Sequence, residues 1–141
     1  WRLVKGVWYG PDEPPFAGQH HIFVDARRAD GSRQPGVLFD VTNLDATTLF
    51  SRLTTELKPG EPYAANFPMY KVAPAYRTIP SDGSPADSVT NLGLGSLEHP
   101  DYAYHTSYGF VWQWVVAGTA TPTPTGTPAL TETPVMEGVR P

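Results

Sequence analysis

Tyr102-Ala-Tyr-His-Thr-Ser-Tyr-Gly-Phe-Val-Trp-Gln-Trp-Val-Val116 is the stretch that decides the fold. Its even positions read Tyr102, Tyr104, Thr106, Tyr108, Phe110, Trp112, Trp114 and Val116; its odd positions carry Ala103, His105, Ser107, Gly109, Val111, Gln113 and Val115. Side chains on a strand alternate between two faces, so a period of two with the bulk on one side predicts a β-strand whose bulky face is buried. Phe110, Trp112 and Trp114 are expected on that inner face.

Working outward, the same signals recur. Arg2 to Tyr9 reads as a first strand, cut off by Gly10-Pro11-Asp12-Glu13-Pro14-Pro15. His20 to Arg28 alternates, with Ile22, Val24 and Ala26 on one face and Phe23, Asp25 and Arg27 on the other. Asp30-Gly31 is a hairpin-turn signal. Val37 to Val41, Thr47 to Thr55, Tyr63 to Tyr70, Ala75 to Ile79 and Ser88 to Leu92 supply further short strands. A short helix capped by Asn43 or Asp45 competes for Thr47 to Thr55. Pro68 demotes its run to an edge strand or loop. Sixteen prolines and thirteen glycines punctuate the chain too often for long helices. The expectation is an all-β, immunoglobulin-like or jelly-roll-like β-sandwich of about seven strands with an extended C-terminal tail.

The character changes at Gly118. Residues 119–134 hold seven Thr and four Pro, a composition that buries too little apolar area to order itself and favours extended polyproline geometry. The reading is therefore a β-sandwich module over 1–117 and a Thr/Pro-rich linker and tail over 118–141. Such tracts also read as O-glycosylated stalks. The chain, starting at Trp1, reads as a processed protein or an excised module.

Composition narrows function. No cysteine is present, so no thiolate metal site and no thiol nucleophile is available. A net charge of −4 disfavours a general phosphate-backbone binder, hence no nucleic acid. No apolar run approaches the roughly 18–20 residues of a membrane span. Gly93-Leu94-Gly95-Ser96-Leu97 is not a G-x-S-x-G elbow, since position 97 is Leu. No carboxylate pair has a spacing that separates it from surface charge, and no catalytic residue is assigned. His20, His21, His99 and His105, with Asp101, match no metal-ligand spacing; adjacent His20 and His21 are expected on opposite strand faces. No metal and no cofactor are expected.

The aromatics are the best functional material. Seventeen of them are many for a core of this size. Sugar rings present C–H faces that stack on Trp and Tyr. Trp8, Tyr9, Tyr63, Tyr70, Tyr76, Tyr102 and Tyr104 are candidates. Trp8 and Tyr9 precede a Pro/Gly-rich loop, and Tyr70 and Tyr76 flank Lys71-Val-Ala-Pro-Ala75, so Trp8, Tyr9, Tyr70 and Tyr76 are the expected ligand-binding residues. Stacking and neutral hydrogen bonds carry no net charge, so binding of this kind is expected to be insensitive to salt.

Several phrases carry a resemblance: His20-His-Ile-Phe-Val-Asp25, the Asp30-Gly31 turn, Lys58-Pro-Gly-Glu-Pro-Tyr-Ala-Ala-Asn-Phe-Pro-Met-Tyr70, and Leu92-Gly-Leu-Gly-Ser-Leu-Glu-His-Pro-Asp101 with His105-Thr-Ser107. Over residues 1–116 the chain resembles a bacterial secreted accessory β-sandwich domain, immunoglobulin-like or carbohydrate-binding-module-like, found beside Thr/Pro linkers in multidomain extracellular proteins. The resemblance implies a secreted or cell-surface location and an attached catalytic or cell-surface domain; it carries over no catalytic residues. The expected function is non-catalytic polysaccharide binding. The alternatives are a structural or assembly subunit or spacer of an extracellular appendage or cell-surface protein, self-association included, and a small metal-dependent enzyme.

Overall fold

A computed structural model of the chain describes residues 1–95 and 105–116. Among them are eight strands and no helix: β1 (Arg2–Tyr9), β2 (His21–Arg27), β3 (Leu38–Thr42), β4 (Leu49–Thr54), β5 (Ala65–Pro68), β6 (Tyr76–Pro80), β7 (Val89–Leu92) and β8 (Ser107–Gln113). They form two four-stranded sheets, ordered β1-β8-β2-β5 and β4-β3-β6-β7. The all-β sandwich expected from the alternation is the fold observed, with one strand more than the seven anticipated. Tyr102, Tyr104, His99, Asp101 and the Thr/Pro stretch lie outside the described residues.

The deciding stretch becomes the centre of the first sheet. β8 runs antiparallel to β1 and parallel to β2. Its even face, Tyr108, Phe110 and Trp112, together with Ile22 and Val24 of β2, packs against Phe39, Val41 and Tyr76 of the second sheet. The Trp112 indole N–H donates to the Asp87 carbonyl at 3.0 Å, so this large ring is buried with its polar atom satisfied. The odd face is covered too: Val111 joins Phe16, Phe23 and Tyr63 in a second, smaller core on the outer side of that sheet. Gly109 is needed there because a Cβ at that position would sit 2.1 Å from the Tyr63 hydroxyl oxygen.

Trp114 departs from expectation. The strand ends at Gln113, and Trp114 is 37% exposed, edge-on to Trp1 at 5.1 Å between ring centroids. The Asp30-Gly31 turn forms, with Gly31 at φ +90° and a single antiparallel bridge between Arg27 and Arg33. It does not make a long hairpin, because the chain crosses to the other sheet before β3. The competing helix over Thr47 to Thr55 does not form. Asn43 and Asp45 instead accept from the Thr48 and Thr47 backbone N–H groups in a turn that feeds β4. Pro68 closes β5, an edge strand, as its proline requires.

A buried ion cluster fixes the loop before β5. The Asp25 side chain, fully buried, meets Arg27 at 2.6 Å and Arg33 at 2.9 Å. The Arg33 guanidinium also donates to the Leu57, Lys58 and Glu61 carbonyls. It thereby holds the Lys58–Glu61 turn that delivers Tyr63 over Gly109.

Candidate functional site

The loop from Met69 to Ala75 passes from β5 in one sheet to β6 in the other, and it is pinned along its length. The Met69 N–H donates to the His20 carbonyl at 2.7 Å, and His20 Nδ1–H returns a bond to the Met69 carbonyl at 2.8 Å. The Tyr70 and Lys71 N–H groups both donate to the Tyr76 hydroxyl, at 2.9 and 3.0 Å. The Lys71 carbonyl accepts from Leu94 N–H, and Ala73 N–H donates to the Leu94 carbonyl. Gly93 lets this second segment lie close, since a Cβ there would stand 2.4 Å from the Ala73 nitrogen.

Tyr76 is thus a support. It is completely buried, its hydroxyl is engaged twice, and burial raises its pKa above the usual tyrosine value. The expectation that Tyr76 offers an accessible ring is corrected: it opens a strand whose alternate residues Tyr76, Thr78 and Pro80 all point inward. Tyr70 and Tyr76 lie near each other, with ring centroids 6.0 Å apart.

Tyr70 is the exposed member, 62% accessible. Its ring stands against three others: Tyr76 at 6.0 Å, Phe50 of β4 at 6.3 Å and Phe67 of β5 at 6.4 Å. Phe67 is buried and Phe50 half-buried. The Tyr76 and Phe50 contacts are edge-on and the Phe67 contact is tilted; aromatic pairs are worth about 0.5–1.5 kcal/mol each beyond area burial, enough to orient a ring that solvent otherwise surrounds. The Lys71 ammonium lies 5.7 Å from the Tyr70 centroid and 5.8 Å from that of Phe50. Leu49 and Val72, the chain neighbours of Phe50 and Lys71, are also exposed.

The other two expected ring sites fare differently. Trp8 is buried in the main core, 8% exposed, so its expected accessibility is corrected: it pairs with Tyr108 on the face of β1 that joins the main core. Tyr9 is half-buried; its hydroxyl lies 2.8 Å from that of Tyr63 and its ring meets Phe16 edge-on at 5.0 Å. Tyr63, a wider candidate, is buried, and burial together with the Tyr9 bond pushes its pKa up.

No family model, curated protein or solved structure matches this chain.

Sequence reasoning missed the contribution of Phe50, because β4 and β5 are edges of different sheets and their approach is a tertiary fact. It also missed that His20 and His21 stack, with centroids 5.1 Å apart and His105 at 5.8 Å from His20. His20 precedes the strand, so strict alternation does not apply to it. Burial and the neighbouring His20 lower the His21 pKa. Among the described residues no group of three or more His, Cys, Asp or Glu side chains is arranged to hold a metal ion.

A second exposed apolar region lies where β1 meets the end of β8. Val4, Trp114, Val115 and Val116 are all exposed there. Trp114 stands between two open grooves of about 470 and 540 Å³, one lined by Leu3, Val4 and Ala29, the other by Trp1, Pro85 and Ala86. Among the described residues no helix is long and apolar enough to cross a membrane.

Proposed function

We propose that this chain is a non-catalytic polysaccharide-binding module of a secreted multidomain protein, and that Tyr70 is its stacking platform. The observation that carries the reading is an exposed aromatic ring on a loop whose backbone is tied at Met69, Tyr70, Lys71 and Ala73. A ring held this way loses little conformational freedom on binding, so most of the stacking energy is retained. Tyr9 is a secondary contact at most, since its hydroxyl is committed to Tyr63. Tethering through a Thr/Pro linker to an enzyme or a cell surface makes weak affinity sufficient, because the linker sets a high local concentration.

Affinity electrophoresis of wild type and Tyr70→Ala through gels containing soluble xylan, mannan or cellulose derivatives, with pull-down on chitin and peptidoglycan, tests the reading. Retardation of the wild type by at least one polysaccharide, lost in Tyr70→Ala at unchanged Tm, supports it. A wild type bound by no polysaccharide sinks it.

The apolar region around Trp114 favours a second reading, an assembly or spacer subunit of an extracellular structure. Contiguous exposed apolar surface marks association sites on many proteins. Sedimentation of wild type and Trp114→Ser across a concentration series distinguishes it: association lost in the variant supports the assembly role, and a monomer throughout removes it.

A further inference from the structure

Resting on the polysaccharide reading, we infer that the ligand is an acidic glycan, with Lys71 engaging a uronate carboxylate while Tyr70 stacks on the sugar face. Lys71 is locked through its main chain: its N–H goes to the Tyr76 hydroxyl and its carbonyl accepts from Leu94. Its ammonium lies within 6 Å of both exposed-side rings, Tyr70 and Phe50, a distance at which the ring quadrupole attracts a cation. Among the described residues the ion pairs are Asp25 with Arg27, Asp25 with Arg33, and Asp40 with Arg52. Lys71 belongs to none of them, so its charge is available to a ligand.

The chemistry follows from placement. A hexuronate is a pyranose with a carboxylate at its rim, where a neutral hexose carries CH₂OH. The ammonium lies over the Tyr70 ring; when a pyranose stacks there, the flexible four-carbon stem lets the ammonium move to the ring's edge, where a rim carboxylate falls within reach. The ammonium supplies three donors and no acceptor, so it suits a carboxylate better than a neutral hydroxyl. The chain's net charge of −4 works against binding by charge alone, so recognition rests on a local match of one ring and one cation to one sugar and one carboxylate. Salt sensitivity follows, in place of the insensitivity expected from neutral stacking.

The experiment compares polygalacturonate and alginate with neutral xylan and mannan, and with poly-glutamate as a peptide polyanion. Wild type, Lys71→Gln, Lys71→Arg and Tyr70→Ala are each measured at low and high salt. Wild type is expected to bind at least one polyuronate and to prefer it to the neutral glycans. Lys71→Gln should weaken that binding by up to about fivefold, the upper end for one solvent-exposed charge pair. Lys71→Arg should retain it, and salt should weaken wild type towards the level of Lys71→Gln. Binding to neutral glycans alone, or polyuronate binding indifferent to Lys71→Gln, overturns the acidic-glycan inference while leaving Tyr70 as a platform. Poly-glutamate binding as tight as polyuronate overturns it as well, because charge alone then suffices. No binding to any glycan removes both readings.

Discussion

Replacing Tyr76 by Phe removes one oxygen and nothing else from the core, and it tests how the platform loop is held. That oxygen accepts from the Tyr70 and Lys71 N–H groups at 2.9 and 3.0 Å. A typical hydrogen bond contributes about 0.5–1.5 kcal/mol net, and a buried donor left without an acceptor costs about 1–3 kcal/mol. Both bonds are only partly buried, so water replaces some of what is lost. The cost is then about 1–2 kcal/mol in all, a fall in Tm of about 3–6 °C for a domain of this size. The ring itself, packed on Phe50 and Phe67, stays. Thermal unfolding gives the global cost. Amide hydrogen exchange gives the local one: protection at Tyr70 and Lys71 should drop while β8 amides remain slow. A stability change below about 0.5 kcal/mol, the range of ordinary surface substitutions, with unchanged exchange at both amides would refute the assignment of Tyr76 as the anchor.

Three further outcomes are expected. Trp112→Ala should destabilise by about 3–5 kcal/mol in urea unfolding, since the ring is fully buried between the sheets; a loss under 1 kcal/mol would place it at the surface. Gly109→Ala should cost about 1–3 kcal/mol by overpacking against Tyr63, and Tyr63→Leu in the same chain should recover part of that loss in a double-mutant cycle; strict additivity would deny the contact. The His21 pKa is lowered from 6.5 by burial and by His20, so below 6.5 the unfolded chain binds the extra proton first. Stability present above that pH should decline as pH falls through it. His21→Gln should flatten this part of the profile, leaving the loss at lower pH that comes from carboxylates held below 3.8, among them Asp40 through the hydrogen bond from Arg52. An unaltered profile between pH 5 and 7 in His21→Gln would remove His21 from the account.

The strands were legible because alternation is local. β1 spans the range its alternation predicts, β2 differs from its expected range by one residue at each end, and Phe110 and Trp112 lie inward as their period requires. What alternation does not convey is how many layers cover a sheet. The odd face of β8 reads as the lesser face, yet Ser107, Gly109 and Val111 are buried because the segments carrying Phe16 and Tyr63 fold over them. The small residue at 109 was the available signal, meaningful only once Tyr63 lies across it. Trp8, which chain position alone puts at an open strand end, is buried because it pairs with Tyr108 on the face that forms the main core. Tyr70 and Tyr76 look equivalent in sequence, flanking one short connection. They differ because Tyr76 falls in phase with the inward residues of β6, whereas Tyr70 precedes the strand. Phe50 and Lys71 come together only through the approach of β4 to the loop after β5, a contact between residues 21 positions apart in the chain that no periodicity encodes.

A glycan is proposed to bind on the ring of Tyr70. Backbone amide spectra of the labelled protein, titrated with soluble oligogalacturonate and with neutral xylo-oligosaccharide, test it most directly. The account predicts saturable shifts concentrated at Tyr70, Lys71 and Val72 and at Leu49 to Ser51 of β4, larger for the acidic sugar. Shifts gathered instead at Val4 and at Trp114 to Val116, or no saturable shift with either sugar, would contradict it.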